Sequence, residues 1–236
     1  MISAAILGAT GVIGQELIIA LQNHPWYEIT KVAASKRSAG KKYKKAITDE
    51  EGSLSWYCDE YPNDEILNMK VEEVSEFDPK SVDVIFTALE SDVSKSLEPK
   101  LAKIKPVIST ASAFRYEKDV PVLIPGINSN HSSILNDQKK RRGWEGFIAP
   151  IPNCTTTGLA ITLKPILDKF GLNIVLMTSL QALSGSGRNP GVRGLDIIDN
   201  VIPFIPKEES KVEKETLKIL GKYEDGKISP ADVKVS

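Results

Sequence analysis

Cysteine and histidine are scarce: Cys58, Cys154, His24 and His131 are all the chain has of them. Two cysteines cannot build a disulfide framework, and neither has a neighbour at metal-ligand spacing, so no structural or catalytic metal is predicted. No apolar run approaches the roughly 18 residues that a bilayer span needs, which excludes a membrane helix. An excess of either charge is missing too: Lys+Arg 30 against Asp+Glu 31 gives a formal charge of -1. That balance excludes a generally basic nucleic-acid binder and a disordered acidic tail. The start MISAAILGATG lacks the basic-then-apolar pattern of a secretory signal, so the expected setting is a reducing, cytoplasmic-type compartment. What is present, 41% hydrophobic residues in 236, suffices for one large domain or two ordinary ones.

Ile2 to Leu7 is a short apolar run that leads straight into Gly8, and apolar residues then recur at helical spacing from Val12 to Leu21, where His24-Pro25 stops them. A second apolar segment, Ile29 to Ala34, completes a β-α-β unit. Val82 to Phe86 reads as a buried strand, Val93 to Ile104 as a helix, and Pro106 to Ser109 as another strand. This alternation predicts an α/β fold with a Rossmann-type, doubly wound parallel sheet over residues 1–150. A strand from Phe147 to Pro150 then meets a helical pattern from Thr156 to Phe170, in which Pro165 predicts a kink. The expected boundary lies there, with an incomplete α+β catalytic and dimerisation domain over residues 151–236. Within it, Asn173 to Leu183 reads as a long strand, Leu195 to Val201 as a short helix and Glu208 to Leu220 as a charged helix. The end, Ala231 to Ser236, looks like the start of a strand.

Gly8, Gly11 and Gly14 are spaced three apart between a strand and a helix. With Thr10, Val12 and Ile13 they would let backbone N–H groups approach a pyrophosphate at the helix N-terminus. After the second strand, where an acid would serve the ribose of NAD, the chain offers Ser35, Lys36, Arg37 and Ser38. Hydroxyls and cations there suit a 2′-phosphate, so NADP is the predicted cofactor.

Cys154 follows Pro152-Asn153 and opens a helix through three threonines, a setting that favours its thiolate, whereas Cys58 beside Trp56 and Tyr57 reads as an inert thiol. A nucleophilic cysteine joined to an NADP domain suggests that an acyl group passes through a thioester and is reduced by hydride. Asn153 could hold the developing oxyanion, a cation the leaving group, and a histidine would ordinarily move the proton.

These residues resemble the aspartate-β-semialdehyde dehydrogenases, in their fungal and archaeal branch. The resemblance is carried by GATGVIGQ (8–15), SKRSAGKKY (35–43), RYEKDVPVLIP (115–125), PNCTTTGLA (152–160), LQALSGSG (180–187), NPGVRGLDIIDNVIPFI (189–205) and EESKVEKETLKILG (208–221). It implies NADPH-dependent conversion of β-aspartyl phosphate to aspartate semialdehyde and phosphate, on the way to lysine, threonine, methionine and isoleucine. Cys154 would be the nucleophile, supported by Asn153. Gln181 would position the acyl group, Glu208 would face the substrate's amino group, and Arg115 and Lys211 would bind phosphate. Ser184 and Gly185 would lie near the nicotinamide, and Leu89 at the cofactor end of the fourth strand. Family members pair as homodimers or homotetramers through the second domain.

The chain departs from that family in three places. Ser109-Thr110-Ala111 replaces a segment in which an asparagine contacts phosphate, and Pro206-Lys207 stands where glycines usually precede Glu208. The family's catalytic histidine and second substrate arginine lie past Ser236, so the sequence reads as a C-terminally truncated, inactive fragment. Two other readings stay open: a malonyl-CoA reductase of the same superfamily, and a non-catalytic NADP-binding or oligomerisation module.

Overall fold

Residues that alternate between two apolar faces set the main sheet. The computed structural model describes residues 1–182 and 199–236. In it, β1 (Ile2–Leu7), β2 (Tyr27–Ala34), β3 (Val71–Glu73), β4 (Val84–Thr87), β5 (Val107–Ser109) and β6 (Ile148–Pro150) form one parallel sheet in the order β3-β2-β1-β4-β5-β6. Chain direction across the sheet reverses at β1, which opens a crevice at the carboxyl ends of β1 and β4.

The helices are α1 (Val12–Leu21), α2 (Tyr43–Ala46), α3 (Asp64–Asn68), α4 (Ser91–Ala102), α5 (Ile134–Arg142), α6 (Cys154–Phe170) and α7 (Glu208–Ile219). Ala5, Leu7, Ile85, Val107 and Ile148 pack with Leu101 and Ala102 of α4 on one face of the sheet. Ile6, Val32 and Val71 pack with Ile18 and Leu21 of α1 on the other. Each fully buried aliphatic chain contributes about 1.5–3 kcal/mol, so both faces are strongly specified and a one-residue slip of register is costly.

Past β6 the chain builds smaller pieces. β7 (Ile174–Val175) pairs in parallel with β10 (Lys234–Val235), and β8 (Lys222–Glu224) forms a hairpin with β9 (Lys227–Ser229). Asp225 and Gly226 both have positive φ, 50° and 73°, as a two-residue hairpin turn requires. Val122 and Ile124, from the segment before α5, pack on Ala160 of α6 and Ile219 of α7, so this loop joins the sheet domain to the helices that follow.

Several expectations need correction. Of the long strand expected over Asn173–Leu183, Leu183 lies outside the described residues, and among the rest only Ile174–Val175 is strand, because the paired segment of β10 is only two residues long and a strand persists only where it has a partner. Of the helix expected over Leu195–Val201, residues 195–198 lie outside the described residues, and Asp199 is left-handed with φ 53°, so its end is not helical. α6 runs unbroken through Pro165, where a kink is expected; the carbonyl that the ring deprives of a donor belongs to Ile161, a residue 47% exposed. His131 is buried. The charged stretch after Gly40 also holds more order than its composition suggests: α2, α3 and edge strand β3.

Candidate active site

The glycine turn is shaped by lack of space. Gly8 has φ 85°, and a Cβ there would run into the Ala88 carbonyl beyond β4, with Leu89 Cδ2 3.3 Å away. A Cβ on Gly14 would strike the Gly8 carbonyl. The two glycines therefore let the β1–α1 turn, the first turn of α1 and the end of β4 meet backbone to backbone. Gly11 is the N-cap of α1 and supplies no side-chain cap. Its N–H donates to Gly8 O at 3.1 Å, which closes the turn.

Two side chains that sequence reasoning missed hold this turn from outside. Tyr43 is buried, and its hydroxyl donates to Ala9 O at 2.7 Å; burial pushes that phenol well above its ordinary range. Gln15, also buried, donates to Ser55 O at 2.8 Å and accepts from Tyr57 N at 2.9 Å. Their long-range partners lie 34 to 42 residues away, out of reach of any local sequence signal.

At the end of β2, Ser35, Lys36 and Arg37 are exposed, while Ser38 is buried and closes a turn onto Ser35 O at 2.8 Å. Beside them a cleft of about 280 Å³ is bounded by Ser35 and Lys36, by Val74 and Ser75, and by Leu97 and Lys100 of α4. Beneath the ends of β4 and β5, buried Glu98 accepts from Thr87 Oγ1 at 2.6 Å and from Ser109 Oγ at 2.7 Å. It ties together the strand ends that lead to Leu89 and Thr110.

Cys154 is exposed at the first position of α6. Asn153 caps this helix: its Oδ1 accepts from Thr155 N at 2.8 Å and from Thr156 N at 3.3 Å. An asparagine in that place satisfies N–H groups left over at the helix start and fixes the cysteine's approach. Glu208, which opens α7, reaches the same spot. Its Oε2 accepts from Asn153 Nδ2 at 3.3 Å, and its Oε1 accepts from Thr155 Oγ1 and Gln181 Nε2, both at 3.1 Å. Gln181 also donates to Thr155 Oγ1 at 3.0 Å.

The remaining predicted residues are placed as follows. Lys211 is half-buried on the face of α7 that also carries Glu208 and Glu215, by helical spacing. Arg115 is buried; its Nη1 donates to Glu215 Oε1 at 3.1 Å and its Nη2 to Thr110 O at 2.9 Å. Ser184 and Gly185 lie outside the described residues. Thr110, the departure noted above, thus lends its backbone carbonyl to Arg115.

The sequence also gave no notice of Glu215, Tyr116 and Lys218. Glu215 further accepts from the Tyr116 hydroxyl at 3.2 Å and, through Oε2, from Asn153 N at 2.7 Å. Burial, reinforced by the Glu215 charge, pushes the Tyr116 phenol up to about 12. Lys218 Nζ donates to Arg115 O at 2.7 Å and Glu117 O at 2.8 Å, and burial pulls its ammonium down to about 8. The one available signal was the repeat Glu208, Lys211, Glu215, Lys218, a charged stripe at helical period beside the apolar positions Val212 and Ile219.

Residues 3–134 match the model of the semialdehyde dehydrogenase NAD-binding domain, and residues 163–236 match that of the semialdehyde dehydrogenase dimerisation domain. The chain belongs to the semialdehyde dehydrogenase family. This semialdehyde dehydrogenase chain is 47% identical to an aspartate-semialdehyde dehydrogenase of Archaeoglobus fulgidus, across 99% of its own length and 66% of the relative's. It is 38% identical to a malonyl CoA reductase (NADP) of Metallosphaera sedula, across 93% of the chain and 59% of the relative. Among solved structures it resembles aspartate semialdehyde dehydrogenase with NADP from Candida albicans, with TM-score 0.85 and 38% identity, over all of this chain and 66% of that one. The semialdehyde dehydrogenase chain thus spans just under two thirds of the length of these relatives. No described helix in it is long and apolar enough to cross a membrane.

Proposed function

We propose that this chain carries the nucleophile and the cofactor domain of an NADP-dependent aspartate-semialdehyde dehydrogenase of the cytoplasm. The reaction is reductive dephosphorylation of β-aspartyl phosphate. The observation that carries the reading is the ring of polar groups at α6: an exposed Cys154, its Asn153 cap, and Gln181 and Glu208 converging on Thr155.

The cofactor fits the residues present. The Gly8–Gly14 cradle, where neither Gly8 nor Gly14 has room for a Cβ, brings backbone close to where a pyrophosphate would lie, and Lys36 and Arg37 stand exposed for a 2′-phosphate. When bound, NADPH supplies the hydride that takes a thioester to the aldehyde. The chain's own residues do the rest. Cys154 Sγ attacks the acyl carbon, the C–O bond to phosphate breaks, and phosphate leaves as the S–C bond forms. Arg115 and Lys211 supply positive charge for the leaving phosphate. Asn153 and Gln181 offer amide donors to the thioester oxygen, and Glu208 offers a carboxylate to the substrate's ammonium. Exposed apolar residues past β6, among them Phe170, Leu176, Leu180 and Phe204, support assembly of the whole protein as a homodimer or homotetramer.

The test is the first half-reaction. Incubation with β-aspartyl phosphate should release phosphate and leave one aspartyl group on the peptide holding Cys154, detected by mass. A malonyl group left by malonyl-CoA instead would favour the reductase of the related branch. No adduct from either substrate, with NADPH still bound, would favour a non-catalytic nucleotide-binding module.

A further inference from the structure

One carboxylate joins two parts of the site that the sequence places far apart. Glu215 has no solvent exposure, yet it accepts three hydrogen bonds from two loops. Oε1 takes Arg115 Nη1 at 3.1 Å and the Tyr116 hydroxyl at 3.2 Å, both from the loop after β5. Oε2 takes the backbone N–H of Asn153 at 2.7 Å, from the loop after β6. One turn further along α7, Lys218 grips the carbonyls of Arg115 and Glu117. Arg115 is therefore held at both its guanidinium and its backbone by the same helix. Its buried Nε has no hydrogen-bond partner among the described residues, so at least that donor of the guanidinium stays uncommitted.

A buried ion pair is weak evidence for stability, because the cost of taking two charges out of water offsets much of their attraction. A buried pair whose carboxylate has both oxygens occupied does fix geometry. Here the geometry fixed is that between a guanidinium and the residue capping the nucleophile's helix. We infer that Glu215 is a positioning residue that holds Arg115 and the Asn153–Cys154 helix start in one fixed arrangement. The inference rests on the proposed role of Arg115 as a phosphate ligand. Glu215 touches no reacting atom itself. Its two oxygens face opposite partners, so a side chain with one acceptor, or a shorter one, cannot serve both.

The test uses the unaltered chain, Glu215→Gln and Glu215→Asp. Cys154 is alkylated by iodoacetamide with and without inorganic phosphate, and Cys58 is followed in the same digest as a control of folding. Burial and the Glu16 carboxylate push the Cys58 thiol up to about 11, so slow alkylation of Cys58 is the expected baseline, set first on the unaltered folded chain. Gln keeps the shape but has one acceptor oxygen; Asp keeps the charge but is one methylene short. The expected result is that the phosphate concentration giving half-protection of Cys154 rises about tenfold in both variants, while Cys58 stays slow. Without phosphate, alkylation of Cys154 should slow at least threefold in Glu215→Asp as the helix start loosens, an order-of-magnitude expectation for a lost cap contact. A group that only packs α7 against α6 would leave phosphate protection unmoved. If both quantities stay within about twofold of the unaltered chain in a folded variant, the inference is overturned. If Glu215→Gln exposes Cys58, Glu215→Asp decides by the same criteria. If phosphate fails to protect even the unaltered chain, the phosphate role of Arg115 falls. The link to the helix start is then judged on the alkylation rate alone: slowing upholds it and no change overturns it.

Discussion

Gln181 Nε2 donates to Glu208 Oε1 at 3.1 Å, although the two residues are 27 positions apart in the chain. The same Glu208 carboxylate also receives Asn153 Nδ2 and Thr155 Oγ1. A carboxylate with amide and hydroxyl donors, and no cation paired with it among the described residues, retains acceptor capacity for an ammonium ion. Glu208→Gln keeps the shape and removes that charge. Losing one charged hydrogen bond of about 1.5–3 kcal/mol should raise the β-aspartyl phosphate concentration for half-maximal thioester formation by roughly 10- to 100-fold. The maximal rate should change much less. Equal saturation curves for the two proteins would remove Glu208 from substrate binding.

Gly14→Ala tests the cradle. The new methyl would meet the Gly8 carbonyl, which is backbone and cannot rotate away. Overpacking of this kind costs about 1–3 kcal/mol, so the denaturation midpoint should fall and NADPH titration, followed by fluorescence, should show binding lost or severely weakened. Alanine at Gly158, where a Cβ meets nothing within 4 Å, is the control and should bind NADPH normally.

Lys207 is left-handed, with φ 66°, at the N-cap of α7. Its carbonyl accepts from Lys211 N and from Ser210 Oγ, contacts that any residue there would keep. A left-handed conformation costs an ordinary residue about 1–2 kcal/mol, and glycine escapes that cost while losing somewhat more entropy on folding. Lys207→Gly should therefore stabilise the chain by about 0.5–1 kcal/mol, read as a higher urea midpoint at unchanged slope. A lower midpoint would contradict the strained conformation.

His131 governs part of the acid sensitivity. It lies buried between Asn128 Nδ2, 3.2 Å from Nδ1, and Gly221 O, 3.1 Å from Nε2. With Nε2–H donating to the carbonyl, Nδ1 must accept from the amide, so the neutral ring satisfies both and a second proton would set donor against donor. Burial lowers its pKa in the folded chain below the ordinary 6.5. Unfolded chains then bind the proton first, and stability falls as pH drops below about 6.5 toward the folded value. His131→Gln should flatten the pH dependence of the urea midpoint in that window. An unchanged slope would show that other groups set it.

Much of the sheet domain was legible along the chain. Ile2–Leu7 and Val12–Leu21 have the bounds their apolar runs suggest, because short-range periodicity decides whether a segment buries one face or two. Cys154 at a helix start was equally plain, since Asn153 and the threonines are local capping chemistry. The second domain was read less well. Asn173–Leu183 has a strand's composition, yet among its described residues only those facing β10 become strand, since pairing is a property of two segments and not of one.

What the sequence by itself determined is the class of the fold and the identity of the chemical groups. The glycine spacing set the cradle, the hydroxyls and cations after β2 support the 2′-phosphate reading proposed above, and the cap set the cysteine's place at a helix start. Tertiary structure alone decided how those groups are held together. Tyr43 under the turn at Ala9, Glu98 between the ends of β4 and β5, and Glu215 between Arg115 and Asn153 are buried polar residues. Their partners lie between 11 and 100 positions away. A buried polar group must find its partner wherever the fold brings one, so neither propensity nor period along the chain could have announced these three.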